Sequence, residues 1–333
     1  MSEGKQQRWI SGFWRRIIAL VIDSILLGIV GQCIGLILET TFVAMGNWGR
    51  FVGFFIALAY FGIFNSKLVN GQTFGKKILN IRVVGSNNEP LEVPKSIARY
   101  SVLAIPFSLN GMQFPDEFLT SFLIYILAMI VFGGLASVIY LYIFNRVTRQ
   151  SLHDIAVGSY VVNVGVEQQF VESVWKPHFV IVALFFITAA VVPVFTLNMA
   201  EQEPFVNLMA SRKALMEYPS VQFAGVSYGK SIFTSSDSGT TETTYTSAKV
   251  TLLKNDIANE ELARLLAISI VDNYPESIQK DVMQIHLVYG FDIGIASRWN
   301  THSHRFNPRE LRSERSPVAV DSIGTDVDHS TPQ

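Results

Sequence analysis

Five apolar runs separated by short basic stretches set the plan of the first two hundred residues. Ile17 to Leu38 is the first, 22 residues that reach about 33 Å as a helix and so cover a hydrocarbon core of about 30 Å. Phe51 to Phe64, Tyr100 to Pro115 with Pro106 in its middle, Phe118 to Phe144 and Pro177 to Ala200 follow. The spans are placed at residues 17–38, 51–64, 97–114, 118–144 and 177–200. After residue 200 the period changes. Met283, Ile285, Leu287, Tyr289, Phe291, Ile293 and Ile295 alternate with polar or small residues, as in a strand with one buried face. Asn259 to Tyr274 brings Leu262, Leu265, Leu266 and Ile270 to one helical side. Val221 to Phe233 and Thr244 to Leu253 read as two strands joined by a Ser/Thr/Gly-rich loop. The expected architecture is an α-helical membrane bundle of about five transmembrane helices, followed over residues 201–300 by a small α+β soluble domain. In that domain a helix lies on an antiparallel sheet. Residues 301–333 are polar and expected to be disordered.

Charge changes this picture by giving it a direction. Residues 1–200 hold 14 Lys and Arg against 10 Asp and Glu, whereas residues 201–333 hold 12 against 17. Lys5, Arg8, Arg15 and Arg16 precede the first run. Lys67, Lys76, Lys77, Arg82, Lys95 and Arg99 crowd the second loop, and Arg146 and Arg149 follow the fourth run. The positive-inside rule puts these stretches in the cytoplasm, and five crossings then carry residues 201–333 outside. The first run is too long for a signal-peptide core and is expected to stay as an anchor. The expected location is a bacterial inner membrane, with a cytoplasmic N-terminus. Cys33 is the only cysteine, which excludes an internal disulfide and a cysteine-based zinc site.

Several local patterns are chemically suggestive. Gly71-Gln72-Thr73-Phe74-Gly75-Lys76-Lys77 resembles a phosphate loop but is one residue short and lacks Ser or Thr after the lysine. Ile78 to Val84, a turn over Gly85 to Pro90 and Leu91-Glu92-Val93 read as a small hairpin. His153 and Asp154 are adjacent titratable residues beside a strand-like run. His302 and His304 in a mobile tail would make a poor metal site. Gly31 and Gly35, and Gly53 and Ala57, are small-residue pairs suited to close helix contact.

Asp23 is the anomaly of the first run. A central acid costs about 2.5–3.5 kcal/mol to insert, so it should face protein or water. Arg16 lies seven residues earlier on nearly the same helix face. Two roles fit such an acid: an ion pair that docks a loop, or an ion or proton site.

Arg16-x-x-Ala19-x-x-x-Asp23, Gly71-x-Thr73-x-Gly75-Lys76, Ile81-Arg82-Val83-Val84, Arg99 and Leu152-His153-Asp154-x-x-Val157-Gly158 occur in a fixed order. Together they resemble the RDD family of bacterial membrane proteins over roughly residues 8–165, with Arg16, Asp23 and Asp154 at the family's arginine and two aspartates. The resemblance implies transport of an unknown ligand, with cation/proton exchange proposed for some members. Residues 1–170 would form that domain, while the fifth span and the C-terminal region exceed it. The expected cluster is Arg16, Asp23, His153 and Asp154 at the cytoplasmic face, serving a transporter or ion-coupled carrier of a small cation or proton. The alternative is an assembly or sensing protein whose outer domain binds a protein partner or a second copy. No nucleophile–base pattern and no basic stripe occur, so neither an enzyme, a cofactor nor a nucleic-acid partner is expected.

Overall fold

The computed structural model describes residues 8–114, 118, 121–235 and 239–313. Lys5, Asp116, Glu117 and the tail from residue 314 lie outside the described residues. The chain divides into a helical unit, residues 1–201 with 290–299, and a second unit, residues 202–289 with 300–333.

In the helical unit, α1 (Phe13–Ile37), α2 (Glu39–Met45) and α3 (Gly49–Phe64) are followed by a short α4 (Phe74–Ile78). Then come β1 (Ile81–Gly85), α5 (Val93–Leu109) and α6 (Leu123–Phe144), the last with a π-helical turn over Met129–Gly133. A one-turn α7 (Leu152–Val157), β2 (Ser159–Asn163) and α8 (Pro177–Ala200) complete it. Among the described residues, four segments are long and apolar enough to cross a membrane: Phe13–Ile37, Glu39–Phe64, Leu123–Phe144 and Pro177–Met199. This is an integral membrane protein. On α1 the buried residues are Arg16, Ala19, Asp23, Leu27, Gly31 and Gly35, while Ile18, Val21, Ile25, Ile29 and Leu36 are exposed. The first set is the protein-facing stripe and the second is apolar surface for lipid. A side chain on Gly35 would run into the ring of Phe291, so close approach requires glycine there. The helix α5 has 17 residues, about 25 Å, and its first two turns carry Lys95 and Arg99. It is not among the four segments long and apolar enough to cross a membrane.

The expected local hairpin does not form. Instead β1 pairs antiparallel with β2, from Ile81 opposite Asn163 to Gly85 opposite Ser159. Val83, Val84, Val161 and Val162 are buried, whereas the strand proposed after the turn holds Glu92 and runs into Pro94, which starts α5. Trp9 packs on Val84 and Val162, and Ile10 bridges to Val162. The N-terminal segment and the loops after α3 and α6 therefore assemble into one substructure.

The second unit holds α9 (Phe205–Met216), β3 (Val221–Ser235), β4 (Gly239–Leu252), α10 (Glu260–Asn273), α11 (Pro308–Ser313) and the greater part of β5 (Val282–Asp292) and β6 (Ser297–Phe306), whose joined ends over residues 290–299 belong to the helical unit. The sheet order is β3-β4-β5-β6. The sheet is not wholly antiparallel: β4 and β5 run parallel because α10 carries the chain back across the sheet between them. Leu266, Ile270, Met283, Ile285, Leu287 and Leu311 share its core. Burial alternates from Met283 to Leu287, after which Val288 to Phe291 are buried on both faces. The disorder expected from residue 301 is not found over residues 301–313, where β6 runs to Phe306 and α11 follows, and the rest of that segment lies outside the described residues. In β6, His304 is buried and bonds the carbonyl of Ile257 at 2.9 Å, beside His302.

Candidate functional site

Two polar knots form where the helical unit buries its charges. The first centres on Asp154, which has no exposed surface. Its residue sits at the third position of α7, and its Oδ2 accepts from the backbone N–H of Ser151, capping that helix at 3.3 Å. Arg16 Nη2 donates to Oδ2 at 2.7 Å. Arg99 donates to Oδ1 through Nε at 2.9 Å and Nη2 at 2.7 Å, and Ser159 Oγ adds a fourth partner at 3.1 Å. Burial alone would push the carboxyl up, but Arg99 and Arg16 outweigh it and hold it well below the usual carboxylate range. Arg16 also donates to the carbonyl of Arg149 and lies over the ring of Tyr142 at 4.9 Å.

The second knot centres on Asp23, also fully buried. Tyr60 Oη donates to its Oδ1 at 2.8 Å, the backbone N–H of Gly75 donates to the same oxygen at 2.7 Å, and Thr73 Oγ1 donates to Oδ2 at 2.5 Å. Thr73 caps α4, so the acid of α1 and the hydroxyl of α4 satisfy the start of that short helix together. A side chain on Gly75 would strike the carbonyl of Ala19, one turn before Asp23. The Gly-x-Thr-x-Gly-Lys pattern is thus a clasp shaped for α1, with its backbone wrapped around a carboxylate rather than a phosphate.

Arg16, His153 and Asp154 come together, as do Arg99 and Asp154. Asp23 bonds to Tyr60, Thr73 and Gly75, and Lys76 stands between the two knots. Its Nζ donates to Asn65 Oδ1 at 2.8 Å and to Thr73 Oγ1 at 3.4 Å. Burial, reinforced by the charge of Arg99, pushes the Lys76 ammonium down to about 7. Burial likewise pushes the His153 imidazole down to about 3, so this ring is neutral at physiological pH. Its Nε2 lies 3.5 Å from Asp154, and its Nδ1 is buried without a hydrogen-bond partner among the described residues.

Two cavities run beside these knots. The inner one, about 70 Å³, is lined by Arg16, Asn65, Lys76, Arg99, Tyr142 and His153, with Leu20, Phe61, Tyr100 and Leu103. The other, about 370 Å³, takes Ser24, Leu27, Gly53, Ala57, Ala104 and Ser108 into its wall, with Arg50. Leu20, Phe61, Tyr100 and Leu103 line both, and the rings of Phe61 and Tyr100 stack with centroids 4.4 Å apart. From Arg16 to Leu27 the pair extends along α1 for about 16 Å, roughly half the hydrocarbon thickness.

Sequence reasoning set Arg99 among the motif positions but not in the cluster; a lone arginine two turns into an otherwise apolar helix was the signal. Lys76 carried a signal too, inside the rejected phosphate-loop pattern. For Tyr60 there was none beyond a hydroxyl in an apolar run.

The helices and the buried cluster define a polytopic membrane protein with paired arginine and aspartate side chains at one end of its bundle. Residues 10–158 match the model of the RDD family, so this part of the chain is similar to RDD family membrane proteins, and a further helix and a C-terminal α+β region lie outside the match. Neither the curated proteins nor the solved structures contain a match.

Proposed function

We propose that the helical unit is a carrier for small ions, with a path between α1, α3 and α5. The observation behind this reading is that both cavities have Leu20, Phe61, Tyr100 and Leu103 in their walls. Four bulky side chains between two polar-ended chambers are what a gate needs. The Arg16–Asp154–Arg99 knot closes the inner end, and the Asp23 clasp holds Lys76 at its wall. The carrier would sit in the plasma membrane with the basic loops in the cytoplasm, so that the inner chamber opens on that side.

Flux in vesicles containing the purified protein tests the reading. Phe61→Ala and Leu103→Ala, which widen the gate, should raise the passive ion leak, and Leu103→Trp should abolish it. Wild-type vesicles no leakier than empty ones, with both alanine variants equally tight, would rule the carrier out.

One observation favours a second reading, an assembly protein with a structural cluster. Asp23 has three donors and Asp154 has two arginines, a degree of satisfaction that suits a fixed clasp. Asp23→Asn separates the two readings, as argued below.

A further inference from the structure

We propose that the inner cavity holds a small monovalent anion of the size of chloride, between Arg16, Lys76 and Arg99. The proposal rests on the carrier reading and names the class of its cargo. Three cationic side chains line the cavity, and no Asp or Glu lines either chamber. A cation entering would meet guanidinium and ammonium groups, whereas the carboxylates that offset them already accept from fixed donors. Asp154 is taken by the two arginines and by Ser159, and Asp23 by Tyr60, Thr73 and Gly75.

The charge balance points the same way. Arg16, Arg99 and protonated Lys76 face Asp23 and Asp154, which leaves one positive charge in a buried cluster. An uncompensated buried charge is expensive, and one monovalent anion removes the surplus. Arg99 engages Asp154 through Nε and Nη2, which leaves its Nη1 outside that pairing. His153 is an independent sign of a polar occupant. It lines the cavity, is 5% exposed, and its buried Nδ1 has no hydrogen-bond partner among the described residues. The neutral ring can accept a hydrogen bond from a water carried with the ion. A cavity of about 70 Å³ takes a small anion with some water but nothing approaching the roughly 300–1,000 Å³ sites of larger ligands.

Lys76 couples the anion to a proton. Around its ammonium stand Arg16 and Asp23 of α1, Asn65 at the end of α3, the Phe61 ring at 5.8 Å, Arg99 of α5, Tyr142 of α6, and His153 and Asp154 of α7. Burial leaves this lysine easily deprotonated, and loss of its proton is the other way to remove the surplus charge. An anion in the cavity favours the protonated form, so ion and proton bind together.

Calorimetric titration of the full-length protein in detergent, with sodium chloride against sodium gluconate, tests the site. Chloride should bind saturably and gluconate should not. Affinity should rise by up to tenfold as pH falls from about 8.5 to about 7.5, the limit for one linked proton. Lys76→Met should weaken binding at least tenfold and remove the pH dependence. Asn65→Asp keeps the Lys76 contact, preserves the melting temperature and puts a carboxylate on the wall, so it should abolish chloride binding. No binding of chloride, bromide or nitrate at either pH, or equal chloride binding by Asn65→Asp, would overturn the site. Radiochloride flux in vesicles separates the two ideas. Chloride binding without flux of any ion keeps the anion site and rejects the carrier; cation flux without anion binding keeps the carrier and rejects the anion.

Discussion

Arg99 grips Asp154 with two nitrogens on a single carboxylate oxygen, at 2.9 and 2.7 Å, and leaves the other oxygen to Arg16. The acid therefore draws on helices α1 and α5 at once, and each arginine depends on it for compensation. Removing one member strands charge in low dielectric, which costs about 3–5 kcal/mol. Arg99→Met should sharply reduce folded protein in the membrane and the melting temperature of what remains. Arg99→Lys keeps the charge and should lose less. Wild-type melting of Arg99→Met would show that Arg16 alone suffices.

Asp23→Asn keeps the size of the side chain but cannot accept from both Thr73 and Gly75, because one oxygen becomes an N–H donor. If the clasp is structural, α4 detaches, and protein yield and melting temperature fall together. If Asp23 serves transport, the folded protein persists and flux drops. Unchanged yield and unchanged flux would deny it both roles.

His153 gives the protein an acid limit. Its folded-state pKa, about 3, lies below the ordinary 6.5, so the unfolded chain takes up a proton that the folded chain refuses. That stability is complete above about pH 6.5 and is lost as pH falls towards 3, by up to about 1.4 kcal/mol per pH unit. Melting temperatures in detergent should drop between pH 7 and pH 5, and less so in His153→Gln. An equal drop in both proteins would place the acid sensitivity elsewhere.

The basic loops predict the topology. With Cys33→Ser as background, a cysteine at Ser86 should be shielded from an impermeant reagent in intact cells, and one at Ser231 should react. Both positions are exposed. Equal labelling of the two would refute an outside location for the C-terminal region.

The C-terminal region needs its last two elements. Leu311 of α11 and Phe306 of β6 pack with Leu266 and Ile270. Residues 202–313 expressed alone should melt at a higher temperature than residues 205–300, which lack that packing. Equal melting would make β6 beyond residue 300 and α11 dispensable.

The spans were legible because apolar length is a one-dimensional property, and Asp23 because an acid there violates it. Partnership was harder to read. Both the aspartate of α1 and the Gly-x-Thr-x-Gly-Lys loop stand out in the chain, yet nothing local ties residue 23 to residue 75. The hairpin reading failed for the same reason: the turn at Gly85 to Pro90 is real, but β1 takes Val161 and Val162 as its strand partners, while Leu91, buried beside it, bridges to Ser66. The crossover through α10 makes β4 and β5 parallel, a feature set by the order of elements rather than by the alternation that marked β5.

The spacing of the two knots along the chain sets a timetable for biogenesis. Asp23 meets Thr73 and Gly75 about 50 residues after it is made, whereas Arg16 waits 138 residues for Asp154. At roughly 5–20 residues per second, the first wait is a few seconds and the second about 7–28 seconds. During that interval Arg16 on α1 is without its Asp154 partner. Translation that stops between residues 75 and 154 would leave a half-closed helix pair, one acid satisfied and one arginine bare, which is a target for membrane proteases.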